Sequence, residues 1–157
     1  MSARRRRLRI GLPKGSLQAT THKLFTQAGF LLRLAYQRAS ANLAARLAAD
    51  ELTTVQWAAL VRLYEEGPLS QNELGRRIGM EKGNVHGLVR RLIERGLVRR
   101  DSPAGTDRRR HHLALAGAGV ALVERLLPRA EESNEQTLSR LGARDRVALR
   151  DLLKRLG

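Results

Sequence analysis

Cysteine is absent from the 157-residue chain, which excludes a disulfide framework, a thiolate zinc site and any sensing of oxidants through a thiol. Long apolar runs are missing too. No stretch approaches the roughly 20 apolar residues of a membrane span. The Arg-rich start lacks the apolar run and small-residue cleavage site of a secretory signal, so a cytoplasmic protein without membrane contact is expected. There is no internal repeat, and low complexity is confined to the Arg run at 4–7. His22, His86, His111 and His112 have no carboxylate cluster at a ligand-like spacing, so neither a metal site nor a convergent acid–base site is expected. The chain reads as a non-enzyme without cofactor.

Acidic residues are the minority charge. Thirty Lys and Arg stand against 15 Asp and Glu, a formal net charge of +15. Such an excess attracts a polyanion, nucleic acid before anionic membrane. It is concentrated in residues 1–50 and 70–115. The length suits one domain, or one domain with an added dimerisation layer.

Residues 70–115 carry the most specific pattern. Ser70 followed by Glu73 is a capping box that starts a short helix, and Gly79 breaks it. A second helix has its apolar residues at Val85, Leu88, Val89, Leu92 and Ile93 and stops at Gly96. Residues 97–101 and 110–115 then read as two strands around a polar, Gly-containing tip. Two helices joined by a tight turn and followed by a basic hairpin form a winged helix-turn-helix. With the apolar residues inward, Lys82, Asn84, His86, Arg90 and Arg91 fall on or beside the outer face of the second helix. Asn can pair with adenine and Arg with guanine, while Lys mostly supplies charge to phosphates. A solvated basic face is the blander reading of the helix alone. The adjoining wing, with Arg108, Arg109 and Arg110 at its tip, turns the reading to DNA.

The segments PLSQNELGRRIGM, GLVRRLIERGLVRR and TDRRRHHLALAGAG resemble the MarR family of bacterial transcriptional regulators, and the similarity extends from about Phe30 to the end. Two departures stand out. Asn84 and His86 occupy positions where many members carry Thr and Ser, which bears on the operator sequence. Ala116 sits where a Thr commonly caps the next helix, so one cap is lost. The resemblance implies that Asp107 braces the wing by pairing with a neighbouring arginine. It also implies an effector lodged between the dimer helices and the DNA-binding lobe, with Tyr36 and Trp57 lining its pocket. Lone aromatics on helical stripes are otherwise plain core residues.

Before this region, residues 1–9 are a basic tail, either a solubilising arm or one that tracks phosphates. Residues 8–30 resemble the opening of the ATP phosphoribosyltransferase catalytic chain, a likeness that ends at Phe30. They read as a strand Leu8–Leu12, a turn at Pro13-Lys14-Gly15 and a helix capped by Ser16, whose start is either an anion site or simply a capped end. From Leu24 to Leu47 an apolar stripe runs many turns, with small residues at Ala28, Ala35 and Ala39. Thr53 with Gln56 forms a second capping box, opening a helix that contains Trp57 and ends at Gly67-Pro68. Two further stripes cover residues 117–132 and 143–156, and Pro128 is expected to kink the first or begin a new segment.

The expected architecture is therefore mainly α with a small β-hairpin wing, a winged helix-turn-helix carrying a helical dimerisation layer. Residues 1–15 would form the arm with its short strand and turn, 16–50 the first dimerisation helix, 51–115 the DNA-binding lobe and 116–157 the C-terminal dimerisation helices. The long stripes call either for bundling within the chain or for a second copy, and a homodimer is favoured. The expected function is an effector-responsive regulator, a repressor, on a pseudo-palindromic operator. Its partners would be double-stranded DNA, a second copy and a small molecule, with an aromatic acid or its coenzyme A thioester as the candidate class. The alternatives are a nonspecific architectural DNA binder and a nucleotide- or phosphoribosyl-binding enzyme fragment.

Overall fold

Leu47, Leu60, Leu74, Leu88, Leu92 and Leu126 come from five helices and are all 2% exposed or less. Around them the chain builds helices α1 (Ala28–Leu47), α2 (Thr54–Glu66), α3 (Gln71–Arg77), α4 (Lys82–Glu94), α5 (Gly117–Leu138) and α6 (Ala143–Leu156). Strands β1 (Leu69–Ser70), β2 (Val98–Asp101) and β3 (His112–Leu115) complete it. These come from a computed structural model that describes residues 27–101 and 112–156. The strand expected at Leu8–Leu12, the turn at 13–15, the helix start at Ser16, the basic tail and the wing residues Asp107 to Arg110 lie outside the described residues.

The chain divides into two compact units, 1–38 and 39–157. The described part of the first is the opening of α1, where the Arg33 guanidinium lies over the Phe30 ring, 5.3 Å from its centroid. Leu31, Leu32, Leu34 and Tyr36 are exposed along it.

In the second unit the local signals in the sequence act as written. Thr53 and Gln56 form a reciprocal capping box, as do Ser70 and Glu73. Each supplies partners for backbone donors that a first helical turn leaves unpaired. The short α3 ends at Gly79 in left-handed backbone, φ 64. There the N–H of Met80 reaches back to the carbonyl of Gly75 and that of Gly79 to Arg76, a closure that a residue with a Cβ adopts only at a cost. α4 closes the same way at Gly96: the N–H of Leu97 donates to the carbonyl of Leu92. Leu97 is thereby used by the helix end, so β2 begins at Val98 rather than at the expected Leu97.

The sheet has three antiparallel strands in the order β1-β3-β2, not the two of the expected hairpin. Leu69 pairs with Leu113 and Ser70 with His112; Val98 pairs with Leu115 and Asp101 with His112. The added strand is two residues long, too short to show any alternation. Ser70 is extended, φ −67 and ψ 156, so it serves at once as the end of β1 and the N-cap of α3.

α5 runs unbroken from Gly117 to Leu138 with Pro128 inside it. This corrects the expectation that Pro128 begins a new segment. Pro128 is exposed, and its ring removes one backbone donor at the surface while Val123 and Leu126 stay buried before it. Ala116 stands at the N-cap with no side-chain bond, so that cap is indeed missing. Gly119, in the first turn, packs against the backbone before it: a Cβ there would fall on the carbonyl oxygen of Leu97. That carbonyl also accepts the N–H of Ala116 at 3.0 Å. α6 is tied to α5 by Arg146, which reaches Glu135 at 2.5 Å and the carbonyl of Leu141 at 2.9 Å. It has no buried residue. No helix among the described residues is long and apolar enough to cross a membrane.

Candidate nucleic-acid interface

α4 buries Val85, Leu88, Val89 and Leu92, a single stripe at i, i+3, i+4 and i+7. Gly83, Gly87 and Arg90 have the same spacing on the opposite side, with His86 and Arg91 flanking them and Lys82 and Asn84 at the edges. Lys82, Asn84, His86, Arg90 and Arg91 are all exposed, so the structure leaves these five on or beside the outer side of α4, which exposed Glu94 shares. The two glycines were not singled out in the sequence. Without side chains they leave a low strip of helix backbone, rimmed by polar groups, that another surface can approach closely.

The charges on this face are lightly held. Arg90 Nε lies 3.5 Å from Glu94 Oε1, both side chains being more than 60% exposed, and exposed pairs of this spacing contribute only about 0.3–0.5 kcal/mol. Arg91 folds back so that its Nη1 is 3.6 Å from the point where a Gly87 Cβ would stand. Exchange of either guanidinium to a stronger anion therefore costs little.

α3 adds a second wall. A groove of about 480 Å³ between the two helices is lined by Asn72, Glu73, Arg76, Met80 and Lys82 among others. Glu73 is occupied internally: its Oε2 accepts the Ser70 hydroxyl at 2.6 Å and the Ser70 N–H at 2.9 Å. Those two bonds hold its carboxyl below the usual carboxylate range, against the opposing effect of burial. Arg76 and Lys82 are exposed and give the groove its outward charge. Arg76 has no mark in the sequence beyond its charge; only the packing of α3 on α4 places it there. On the sheet, Arg99 and Arg100 are exposed, and Arg99 reaches Asp101 at 3.1 Å. Asp107, Arg108, Arg109 and Arg110, expected at the wing tip, lie outside the described residues.

The two aromatic candidates differ. Tyr36 is 67% exposed on α1, whereas Trp57 is 7% exposed within the core. A larger groove, about 560 Å³, lies between α5 and α6 with Leu138, Val147, Leu149 and Leu153 on its walls beside Arg146 and Arg150.

Exposed amide, imidazole, ammonium and guanidinium groups on one helix face can donate to and accept from base edges and neutralise phosphates. Comparisons with known proteins place the chain among transcriptional regulators. The model of the MarR family matches residues 50–110. The HTH-type transcriptional repressor NicR of Pseudomonas putida is 35% identical over 140 residues, covering 89% of this chain and 88% of that protein. Among solved structures, a probable transcriptional regulator from Pseudomonas aeruginosa is 44% identical with a TM-score of 0.77, over 85% of this chain and 99% of that one. Bordetella bronchiseptica BpsR is 33% identical with a TM-score of 0.77, over 84% and 94%; that structure concerns regulation of its DNA binding by 6-hydroxynicotinic acid.

Proposed function

Given that this chain belongs to the MarR family of transcriptional regulators, we propose that it is a homodimeric repressor that binds a pseudo-palindromic operator and is released by a small aromatic acid. The observation that carries the reading is the outer face of α4. It presents Lys82, Asn84, His86, Arg90 and Arg91 to solvent around the bare strip at Gly83 and Gly87. A recognition helix of this kind enters the major groove, and a dimer sets two of them on half-sites whose centres are about 10 bp apart. Asn84 and His86 are assigned to base edges, and Lys82, Arg90 and Arg91 to phosphates and guanines. Arg108, Arg109 and Arg110 are assigned to the flanking minor groove, with Asp107 bracing the wing.

The assembly rests on apolar surface without cover. α6 buries none of its residues, and Val147, Leu152, Leu153 and Leu156 are between 44% and 73% exposed. Leu31, Leu32 and Leu34 on α1 are 41–52% exposed. A helix of α6's length is marginal in water unless an apolar face is packed, and a second copy supplies that packing in a closed, self-complementary interface.

The similarity to BpsR, whose DNA binding is regulated by 6-hydroxynicotinic acid, directs the effector toward small aromatic acids of that kind. Tyr36 and Trp57 are assigned to its pocket. Trp57 is the single tryptophan of the chain, so its emission reports any ligand that disturbs the packing around it. Release follows if the acid favours a population whose two recognition helices no longer match the half-site spacing.

Selection of duplexes from a random pool, followed by footprinting with and without 6-hydroxynicotinic acid, tests the proposal. One protected pseudo-palindrome, vacated when the acid is added, is expected. Protection spread evenly over unrelated sequences makes the protein an architectural DNA binder instead.

A further inference from the structure

The connection between α1 and α2 holds a cluster of charges that the DNA-reading face does not use. Ala48–Asp50 forms one 3₁₀ turn, and Glu51 closes it in left-handed backbone, φ 52. Arg95, the C-cap of α4, donates from Nη1 to the Glu51 carbonyl at 2.8 Å and from Nη2 to the Asp50 carbonyl at 2.9 Å. The Asp50 carboxylate turns the other way. Its Oδ1 accepts from Arg125 Nη2 at 2.6 Å, and its Oδ2 lies 3.7 Å from Arg129 Nη1. Both arginines belong to α5. Asp50 thus holds the end of α4 with its backbone and α5 with its side chain.

The geometry of this joint is more specific than its stability requires. A guanidinium fork on two carbonyls fixes orientation as well as distance. The Asp50 side chain is 13% exposed, and its Oδ2 is buried with no hydrogen bond. Among the described residues Oδ2 is thus held by the Arg129 ion pair alone, a looser contact than the 2.6 Å bond at Oδ1, and leaving so buried a carboxylate unpaired is costly. We infer that Asp50 is a positioning residue for DNA binding: through Arg95 it sets where the C-terminal end of α4 stands relative to α5. The inference rests on α4 being the recognition helix.

Charge provides a test in which position and attraction have opposite signs. Asp50→Asn removes a negative charge, so attraction to any phosphate backbone rises. A displaced α4 loses only the sequence-specific part of binding. The full chain first selects a duplex from a random pool. The wild type, Asp50→Asn and Arg95→Lys are then titrated on that duplex and on a scrambled one at one salt concentration, with thermal melting of each variant as a control for folding. Asp50→Asn is expected to bind the selected duplex roughly tenfold more weakly and the scrambled duplex as well as the wild type does, or better. Arg95→Lys keeps the charge but loses the fork, and is expected to shift the same way; it carries the test if Asp50→Asn does not fold. Unchanged or tighter binding of the selected duplex by the folded variants overturns the inference, and so does equal weakening on both duplexes. If the wild type selects no duplex, the recognition-helix reading falls first and takes this one with it.

Discussion

Asn84 and His86 stand at exposed positions on α4, so core packing does not fix either side chain. If Asn84 reaches a base edge, Asn84→Ala should cost roughly 1–3 kcal/mol on the selected operator and little on random DNA. Paired titrations check this, and equal loss on both sequences would return Asn84 to the solvated face. Glu73 shows the opposite use of a polar residue. The Ser70 hydroxyl and then the Ser70 N–H hold its carboxyl below the usual range, so the folded state favours the ionised form. The sign follows from linkage: a group depressed on folding stabilises above its unfolded value, near 4.3, and that stability is lost as pH falls through the lower folded value. Glu73→Gln should therefore be less stable than the wild type at neutral pH, and the gap should close as the pH falls through that window. Denaturant melts at a series of acidic pH values measure it, and a gap independent of pH would show that the carboxylate charge is not what holds the cap.

At the level of elements, legibility tracks sequence distance. The capping boxes at Thr53–Gln56 and Ser70–Glu73, the stop at Gly79 and the buried stripe of α4 all lie within a few residues, and each was readable from the chain. The β1 strand was not, because two residues show no period and Ser70 already carried a complete explanation as a cap. The grip of Arg95 on Asp50 joins residues 45 apart, and Arg125 reaches across 75; a basic chain offers too many arginines for either pairing to be picked out. Pro128 misled because a helix interior normally excludes proline, whereas an exposed position tolerates the lost donor more cheaply than its pattern implied. Gly119 is a case where packing alone explains the residue. Because an added methyl would fall on the backbone carbonyl of Leu97 and not on a flexible side chain, Gly119→Ala should destabilise by about 1–3 kcal/mol. A chemical melt checks it; a neutral result would mean that α5 can shift at its start without loss.

For the molecule as a whole, the apolar residues exposed on α1 and α6 are the surface that the proposed dimer would bury. Leu152→Glu places a charge where a second copy is proposed to pack, and Leu152 is 55% exposed in the single chain, so the fold itself is spared. A monomer by sedimentation at micromolar concentration, with weakened operator binding, is the expected outcome; an unchanged dimer would move the interface away from that part of α6. Ser70 has a consequence of another kind. As the last residue of β1 and the N-cap of α3 it leaves no linker between the sheet and the reading helices, and β1 is itself paired to β3 on the far side of the wing. The lobe is therefore not modular at this seam. A chimaera that imports another regulator's recognition helix by splicing between strand and helix would sever a shared residue, whereas one that exchanges the whole span from Leu69 to Leu115 would carry its own frame with it.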